Sequence, residues 1–484
     1  MRKILCILSC LLVAGCTSFD RNPYDGALRE LRVAAVYPEG YAGYLREGVA
    51  VKLSDRNTGN VYTALTDAQG HAGFRVAAGH YRLSVLDLPD DSAVFNGTIE
   101  QVDLVGEDKD VDVALKFSKP GTILIKEIYS GGCMQDPPAT GTYADDKYII
   151  LHNNGFETYY LDGLCLAMVA PYNSQAANPW TSTDPSGNIV FRDYAAVPDC
   201  IWMFPGSGTD FPLQPGEDVV VAYHGVDHTQ TYSQSVNLNR KGCFVLYDMV
   251  YYPGNKLHPT PVPGDQIDQA HYMKVLKKTG TNTAVVYVIS QNSPAVILFR
   301  APEGFDLDAY LADDLQSTVQ SGSITYSKIP WDDWIVDGVE VCNMTEATKH
   351  KRLHTDVDAG YIGFSAKAQG HTLHRKLDEA ATAAAGFERY VDTNNSSNDF
   401  YVASASGVTV ASGVVSASGV TVASGVSSAS GVTVASGVAS ASGVTIASGV
   451  SSASGVTVAS GITSDSDCSL PVLSSPSVFS LSVS

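Results

Sequence analysis

Basic residues are scarce in this chain. Lys and Arg total 31 against 51 Asp and Glu, a formal net charge of −20. Binding a polyanion draws on Lys and Arg to release counterions. Nucleic acid is therefore excluded as a partner, and the charge balance suits a soluble, self-repelling surface. Long hydrophobic runs are missing too: the apolar stretch Ile4 to Val13 falls short of the ~20 residues a membrane-spanning helix needs. No CxxC pair stands at metal or redox spacing. A P-loop and a dinucleotide-binding glycine fingerprint are absent, so no cofactor is implied. A GxSxG elbow is absent as well; the nearest text, Gly206-Ser207-Gly208, follows Phe204-Pro205 without a strand-to-helix frame. The many carboxylates form no pair that reads as general acid and base.

What is present begins at the N-terminus. Arg2 and Lys3 precede the apolar run, and Val13-Ala14-Gly15 leads directly to Cys16. Basic start, short apolar core and small residues before a cut are the layout of a secretory signal. A Cys after Ala-Gly resembles the lipobox of bacterial lipoproteins. The resemblance implies a thiol carrying diacylglycerol, cleavage before Cys16 and acylation of the new amine. Acyl chains hold such a protein to a membrane at ~0.8 kcal/mol per buried CH₂. In that family an Asp after the Cys marks inner-membrane retention; Thr17 stands here, which favours the outer membrane. The acidic run that sends some Bacteroides-type lipoproteins to the cell surface is missing from Thr17 to Arg21. Periplasmic and surface-facing placements both remain open. The compartment permits disulfides, and one bridge among Cys133, Cys165, Cys200, Cys243, Cys342 and Cys468 is compatible with the spacing.

The body of the chain reads as all-β. Val49, Val51 and Leu53 alternate with polar or small residues, as do Phe74/Val76 and Tyr81/Leu83/Val85. Turn clusters separate them, Asp55 to Asn60 among them, with Gly where a turn needs positive φ. TDAQGHAGF followed by GHYRLSV resembles the transthyretin-like, carboxypeptidase-regulatory β-sandwich, a family of structural or partner-binding modules. After Lys119-Pro120-Gly121, the order TILIKEIY, DKYIILHNNG, YLDGL and FPLQPGEDVVVA resembles the lamin-tail immunoglobulin-like fold, drawn out by long insertions. YLDGL, IWMFPGSG, LQPGE, DHT and DTNNSSNDF resemble an uncharacterised family of Bacteroides-type lipoproteins with no established activity. The expected organisation is a signal segment over 1–15, a lipidated tether over 16–30, a transthyretin-like sandwich over 31–118, a lamin-tail-like sandwich over 119–400 and a repeat tail over 401–484. Short helices are predicted over Phe305 to Ser317 and Asp378 to Glu388.

The tail differs from everything before it. Ser-Ala-Ser-Gly recurs at Ser404, Ser416, Ser428, Ser440 and Ser452, close to SASGVTVASGVx, with no charged residue until Asp465. Three readings stand: stacked β-coils, a disordered Ser/Gly-rich segment, or a product of DNA slippage in a shifted frame.

Several constellations carry candidate chemistry. His224, Asp227 and His228 place two imidazoles and a carboxylate within five residues, a set able to share a metal if helical, or a hydrogen-bonded turn if not. His350, His354, His371 and His374 lie among Lys349, Lys351, Arg352, Arg375 and Lys376. That basic stretch suits lipid headgroups or an acidic partner, against ordinary surface charge paired to Asp356, Asp358 and Asp378. Asp184 to Asn188 and Asp392 to Asp399 are oxygen-rich, as calcium requires and as Asx turns also produce. Tyr251, Tyr252, Trp331 and Trp334 are candidates for a glycan- or peptide-binding surface, since exposed aromatics mark recognition sites. Asp91-Ser92-Ala93 resembles the short O-glycosylation motif of Bacteroides-type exported proteins, with Ser92 the acceptor. The expected function is a membrane-anchored, non-catalytic lipoprotein that binds a glycan, a peptide or an outer-membrane receptor. The alternatives are a metal-dependent hydrolase at His224, Asp227 and His228, and a structural or adhesive protein using the repeat tail.

Overall fold

The computed structural model describes residues 28–90, 93–184, 189–198, 201–250, 260–277, 289–320, 325–332, 334–345, 348–404, 413–448, 451–460 and 463–465. Its chain divides into two units, Met1–Pro120 with Thr183–Val190, and Gly121–Ser182 with Phe191–Ser484. The all-β reading holds.

The first unit contains β1 (Leu28–Val36), β2 (Ala50–Asp55), β3 (Val61–Leu65), β4 (His71–Ala77), β5 (Gly79–Asp90), β6 (Ala93–Leu104), β7 (Lys109–Ala114) and β8 (Lys116–Ser118). A three-stranded sheet runs β4-β1-β7 and a five-stranded sheet β3-β2-β5-β6-β8. Inward residues of both sheets, including Leu31, Val33 and Phe74 from one and Val51, Leu53 and Leu83 from the other, form a single core. That is the sandwich the alternation predicts: β4 buries every second residue, Ala72, Phe74 and Val76. Its turns are locked by carboxylates. Asp55 Oδ1 accepts from the N–H groups of Asn57 and Thr58, and Asp67 Oδ1 from those of Gln69 and His71. The first strand starts at Leu28, inside the segment expected to be tether, because Leu28 to Ala34 pair with Ala77 to His71.

The second unit is built on β9 (Ile123–Tyr129), β10 (Tyr148–Asn153), β11 (Cys165–Met168), β12 (Ile201–Met203), β13 (Asp218–Ala222), β14 (Phe244–Val245), β15 (Lys274–Lys277), β16 (Ala295–Phe299), β17 (Ile335–Glu340), β18 (His371–Arg375) and β19 (Phe400–Ser404). One sheet has the order β14-β13-β10-β9-β18-β19 and the other β15-β12-β11-β16-β17. Ile125, Ile150 and Val220 of the first sheet share a core with Leu166, Trp202 and Leu298 of the second. Every residue of β9 and β10 is buried, so their text shows no alternation of apolar and polar residues. A smaller core around Phe299, Ile329, Trp331 and Trp334 closes the far side of the second sheet.

The predicted helix over Phe305 to Ser317 is shorter than its periodicity suggests. It runs Leu307–Ala312, capped by Asp306, and Asp313 caps a separate 3-10 turn at Asp314–Gln316. The Ala-rich segment forms the helix Glu379–Ala385, opened by the Asp378 cap and closed by Gly386 at φ 79. In the tail, Ala439–Ser448 pair in parallel with Ser451–Ser460, an offset equal to the twelve-residue sequence period.

Candidate functional site

The chemically richest region of the second unit lies where β13 runs out toward His224, Asp227 and His228. The His228 Nε2–H donates to the His224 carbonyl at 3.0 Å, since a carbonyl only accepts. Its Nδ1 therefore accepts from the Tyr143 hydroxyl at 2.6 Å. Both ring nitrogens are committed. Asp227 faces elsewhere: it caps the 3-10 turn His228–Gln230, accepting from the Thr229 N–H and hydroxyl and from Gln230 Nε2. His224 stacks on Tyr223 with ring centroids 4.3 Å apart. Burial pushes its pKa down to about 3, with His228 and Lys147 adding to the effect. The sequence brings these three residues together, yet each serves a different set of partners, and a metal at His228 would have to displace Tyr143 or the His224 carbonyl. Among the described residues, no group of three or more His, Cys, Asp or Glu side chains is arranged to hold a metal ion.

Behind His228 lies a polar cluster that sequence reading did not single out. Asp146 Oδ2 accepts from Ser235 Oγ at 2.7 Å and from the Tyr129 hydroxyl at 3.2 Å. Burial holds the Asp146 carboxyl above its usual range. Cys133 is buried beside it, and burial together with the Asp146 charge pushes its thiol up to about 12. A nucleophilic cysteine needs the opposite, a thiolate favoured by nearby positive charge. Lys147 donates to the Ile289 carbonyl at 2.9 Å and lies 5.2 Å from the Tyr223 ring centroid. Burial pulls its pKa down to about 8, against Asp145 and Asp146. Asp146 Oδ2 is thus fully engaged, whereas its Oδ1 is buried without a hydrogen-bond partner among the described residues. Cys165, Cys243 and Cys342 are likewise buried free thiols, whereas Cys200 and Cys468 lie outside the described residues.

The aromatic surface requires correction. Trp331 and Trp334 are only 8% and 7% exposed. Trp331 Nε1 donates to the Arg192 carbonyl at 3.1 Å. Trp334 packs against Phe305 and Tyr310 at centroid distances of 5.1 and 5.2 Å. Their large apolar area is worth more inside this core than on a rim. Tyr251 and Tyr252 lie outside the described residues, as do Cys16 and Ser92. The described residues nearest the tyrosines in sequence are informative: Met249 is exposed, Val250 is 90% exposed, and Val262, further along the chain, is 68% exposed.

The basic stretch also turns inward. Lys351, Arg352 and Arg375 are all buried. Arg352 pairs with Glu340 at 2.7 Å and donates to the carbonyls of Ser293 and Val341. Lys351 Nζ donates to the Gly360 carbonyl at 2.6 Å. Arg375 is ringed by Asp337 at 2.8 Å, Asp392 at 3.1 Å and Asp399 at 3.4 Å, and it lies over the Phe400 ring. The oxygen-rich segment from Asp392 to Asp399 thus surrounds a guanidinium, and Asn395 caps the short helix Ser396–Asp399. Of the other oxygen-rich segment, residues 185–188 lie outside the description.

Two further motifs meet as one lock. The Asp162 carboxylate of YLDGL accepts from the N–H groups of Gly208, the last residue of IWMFPGSG, and of Asp210 and Phe211 just after it. Charged residues set in apolar strand text, such as Lys126 and Glu127 in ILIKEIY or Arg375 in HTLHR, were the available signal for these buried centres. Lys126 pairs with Asp218 at 2.5 Å, and His152 Nδ1 shares that carboxylate at 2.7 Å.

Residues 214–406, from the LQPGE turn through DTNNSSNDF and β19, match a family described as "Protein of unknown function (DUF4876)". Among solved structures, the chain is similar to a DUF4876 family protein from Bacteroides thetaiotaomicron VPI-5482. The identity is 23%, the alignment covers 77% of this chain and 94% of that one, and the TM-score is 0.49. More distant similarity reaches the TIE protein of Bacillus anthracis, at 14% identity over 39% of this chain and 31% of that one, TM-score 0.17. It also reaches BcpA, the major pilin subunit of Bacillus cereus, at 11% identity over 67% and 98%, TM-score 0.16. No curated protein matches. The DUF4876 description assigns no activity.

Proposed function

We propose that this chain is a lipoprotein anchored to the outer membrane through Cys16, with a non-catalytic binding or accessory role exercised by the inserted loops of its second unit. Its partner is a glycan, a peptide or an outer-membrane receptor. The observation that carries this reading is a set of exposed apolar residues after β14. A sandwich that buries Trp331, Trp334, Lys351, Arg352 and Arg375 leaves Met249, Val250 and Val262 exposed, the first two directly before Tyr251-Tyr252 in sequence. Exposed apolar side chains beside a rigid sheet frame are a recurrent basis for recognition. The anchor rests on the Val13-Ala14-Gly15-Cys16 text.

The test has two parts. Mass spectrometry of the mature N-terminus is expected to find acyl chains on Cys16. Protease treatment of intact cells then separates a surface-facing body from a periplasmic one. Glycan and peptide arrays, probed with the wild type and a Val250→Asp/Tyr252→Ala variant, are expected to give binding that the variant loses. An unmodified Cys16 inside a longer mature chain would overturn the anchor, and binding indifferent to the loop changes would overturn the site. A structural or adhesive role is the second reading. The parallel twelve-residue offset between Ala439–Ser448 and Ser451–Ser460 favours it, and fibre formation by the full chain, lost on removing residues 405–484, is its test.

A further inference from the structure

The chain first enters the second unit at Gly121, ahead of β9, and, apart from the excursion Thr183–Val190 that belongs to the first unit, the sandwich runs on to the end of β19 at Ser404. Those two strands share a sheet with one strand between them. In the order β9-β18-β19, β18 is antiparallel to both neighbours. The registers place Ile128 opposite Leu373 and Leu373 opposite Val402; His374 likewise stands between Glu127 and Tyr401. β9 and β19 therefore run parallel to each other. The chain enters β9 at one end of the sheet and leaves β19 at the opposite end.

This arrangement fixes how tension acts. A pull through the chain draws β9 backward from Ile123 and β19 forward from Ser404, in opposite directions along the strand axes. Hydrogen bonds between antiparallel strands lie perpendicular to the strands. An axial load therefore strains all five β18–β19 residue pairs, His371–Ser404 through Arg375–Phe400, together. A load applied across the strands at one end would open them in succession. Side chains also fasten β9 to β18. The Gly121 N–H donates to Asp392 Oδ2 at 2.5 Å, and Asp392 Oδ1 accepts from Arg375 at 3.1 Å. Arg375 Nε donates to the Ile125 carbonyl at 3.0 Å, and Thr372 Oγ1 donates to Glu127 at 2.7 Å.

We propose that the second unit is a tension-bearing module, loaded in shear between Gly121 and Ser404, and that it transmits force between the preceding unit and the repeat tail without unfolding. The proposal stands on strand order and register and does not depend on the anchor or on the ligand.

Single-molecule pulling on the full chain tests it in two geometries. In the first, handles at the two chain ends load the unit in shear. In the second, one handle stays at the C-terminus and the other is placed on an azide-bearing residue at position 369. Gln369 is exposed and lies just before His371, at the same end of the sheet as Ser404, so this pull peels β19 from β18 pair by pair. In the end-to-end pull, unfolding of residues 121–404 is recognised by a contour gain on the order of 100 nm, and in the second geometry, where only the residues from 369 to 404 lie between handle and tail, by a gain of about 12 nm, from roughly 3.3–3.6 Å per residue. The expected result is a shear rupture force several-fold above the peeling force at equal loading rate. Arg375→Lys should lower the shear force and leave the peeling force nearly unchanged. Equal forces in the two geometries, or rupture below the peeling force when pulled from the ends, would overturn the proposal. Because the comparison uses the native sequence elsewhere, it survives any folding defect in the variant.

Discussion

Arg375 is one cation set among three buried carboxylates, and that imbalance makes it the most consequential residue of the second unit. Arg375→Ala would strand Asp337, Asp392 and Asp399 without a counter-charge, at about 3–5 kcal/mol. Urea unfolding should show the loss, and Arg375→Lys should recover only part of it because the planar fork is gone. The same cluster sets a pH dependence. Burial, opposed by Arg375, pushes Asp337 up to about 6 and Asp399 up to about 7. The folded state then binds protons that the unfolded state has released. This contribution is complete below the unfolded carboxylate pKa and is lost as pH rises through 6 to 7. His224 acts with the opposite sign. Its folded pKa is about 3 against an ordinary 6.5, so its stability contribution is present above 6.5 and is lost on acidification. The two slopes oppose each other between pH 5 and 7. His224→Phe keeps the stack on Tyr223 and removes one of them. Relative to wild type, the variant should gain about 2 kcal/mol on going from pH 7 to pH 5, at ~1.4 kcal/mol per pH unit below 6.5. Urea midpoints at the two pH values that shift equally for both proteins would contradict the assignment.

Turns and strands were legible in the sequence to different degrees, and the reason lies in how each is stabilised. The strands of the first unit alternate because one face of each meets solvent, so β4 and β5 are readable from Phe74/Val76 and Tyr81/Leu83/Val85. β9 and β10 are covered on both faces, so no alternation marks them, and Lys126, Glu127 and His152 sit where a surface charge would be expected. Trp331 and Trp334 were legible as aromatic text; their burial depends on Phe299, Phe305 and Tyr310, which are distant in sequence or separated by a turn. The YLDGL and FPGSG motifs were legible as turns, but not as partners, because 46 residues separate Asp162 from Gly208. That pairing has a consequence at the level of the turn. Gly206 has φ +114, and a Cβ there would lie 2.0 Å from Asp162 Oδ1. Asp162→Ala removes three N–H bonds to a carboxylate and should cost about 3 kcal/mol. Gly206→Ala should cost at least as much, from clash and backbone strain together. In the double variant the clash is gone, so the two costs should fall short of additivity by 1 kcal/mol or more. A strictly additive cycle, read from urea unfolding, would separate the two residues.

At the scale of the whole molecule, two units each close their own hydrophobic core, one around Leu31, Val51 and Leu83 and the other around Ile125, Leu166 and Trp202. The division after Pro120 falls at the Lys119-Pro120-Gly121 text, where composition changes and few side chains are apolar. Separate cores imply separate cooperative transitions, since cooperativity follows shared burial. Calorimetry of the full chain should therefore resolve two endotherms, and variants confined to one unit should move one of them. Arg375→Ala loads the second unit alone; a loss of about 4 kcal/mol in a unit of this size corresponds to a midpoint roughly 10 °C lower. For the first unit the matching variant is Tyr81→Phe. The Tyr81 hydroxyl donates to the Ala77 carbonyl at 2.6 Å across the turn between β4 and β5, and its ring is fully buried. Removing one such bond costs about 1 kcal/mol, which in a unit near 90 residues lowers the midpoint by roughly 4–8 °C. Each variant should leave the other endotherm in place. A single transition displaced by both substitutions would mean that the two cores unfold as one, and the boundary drawn after Pro120 would then divide the chain without dividing its stability.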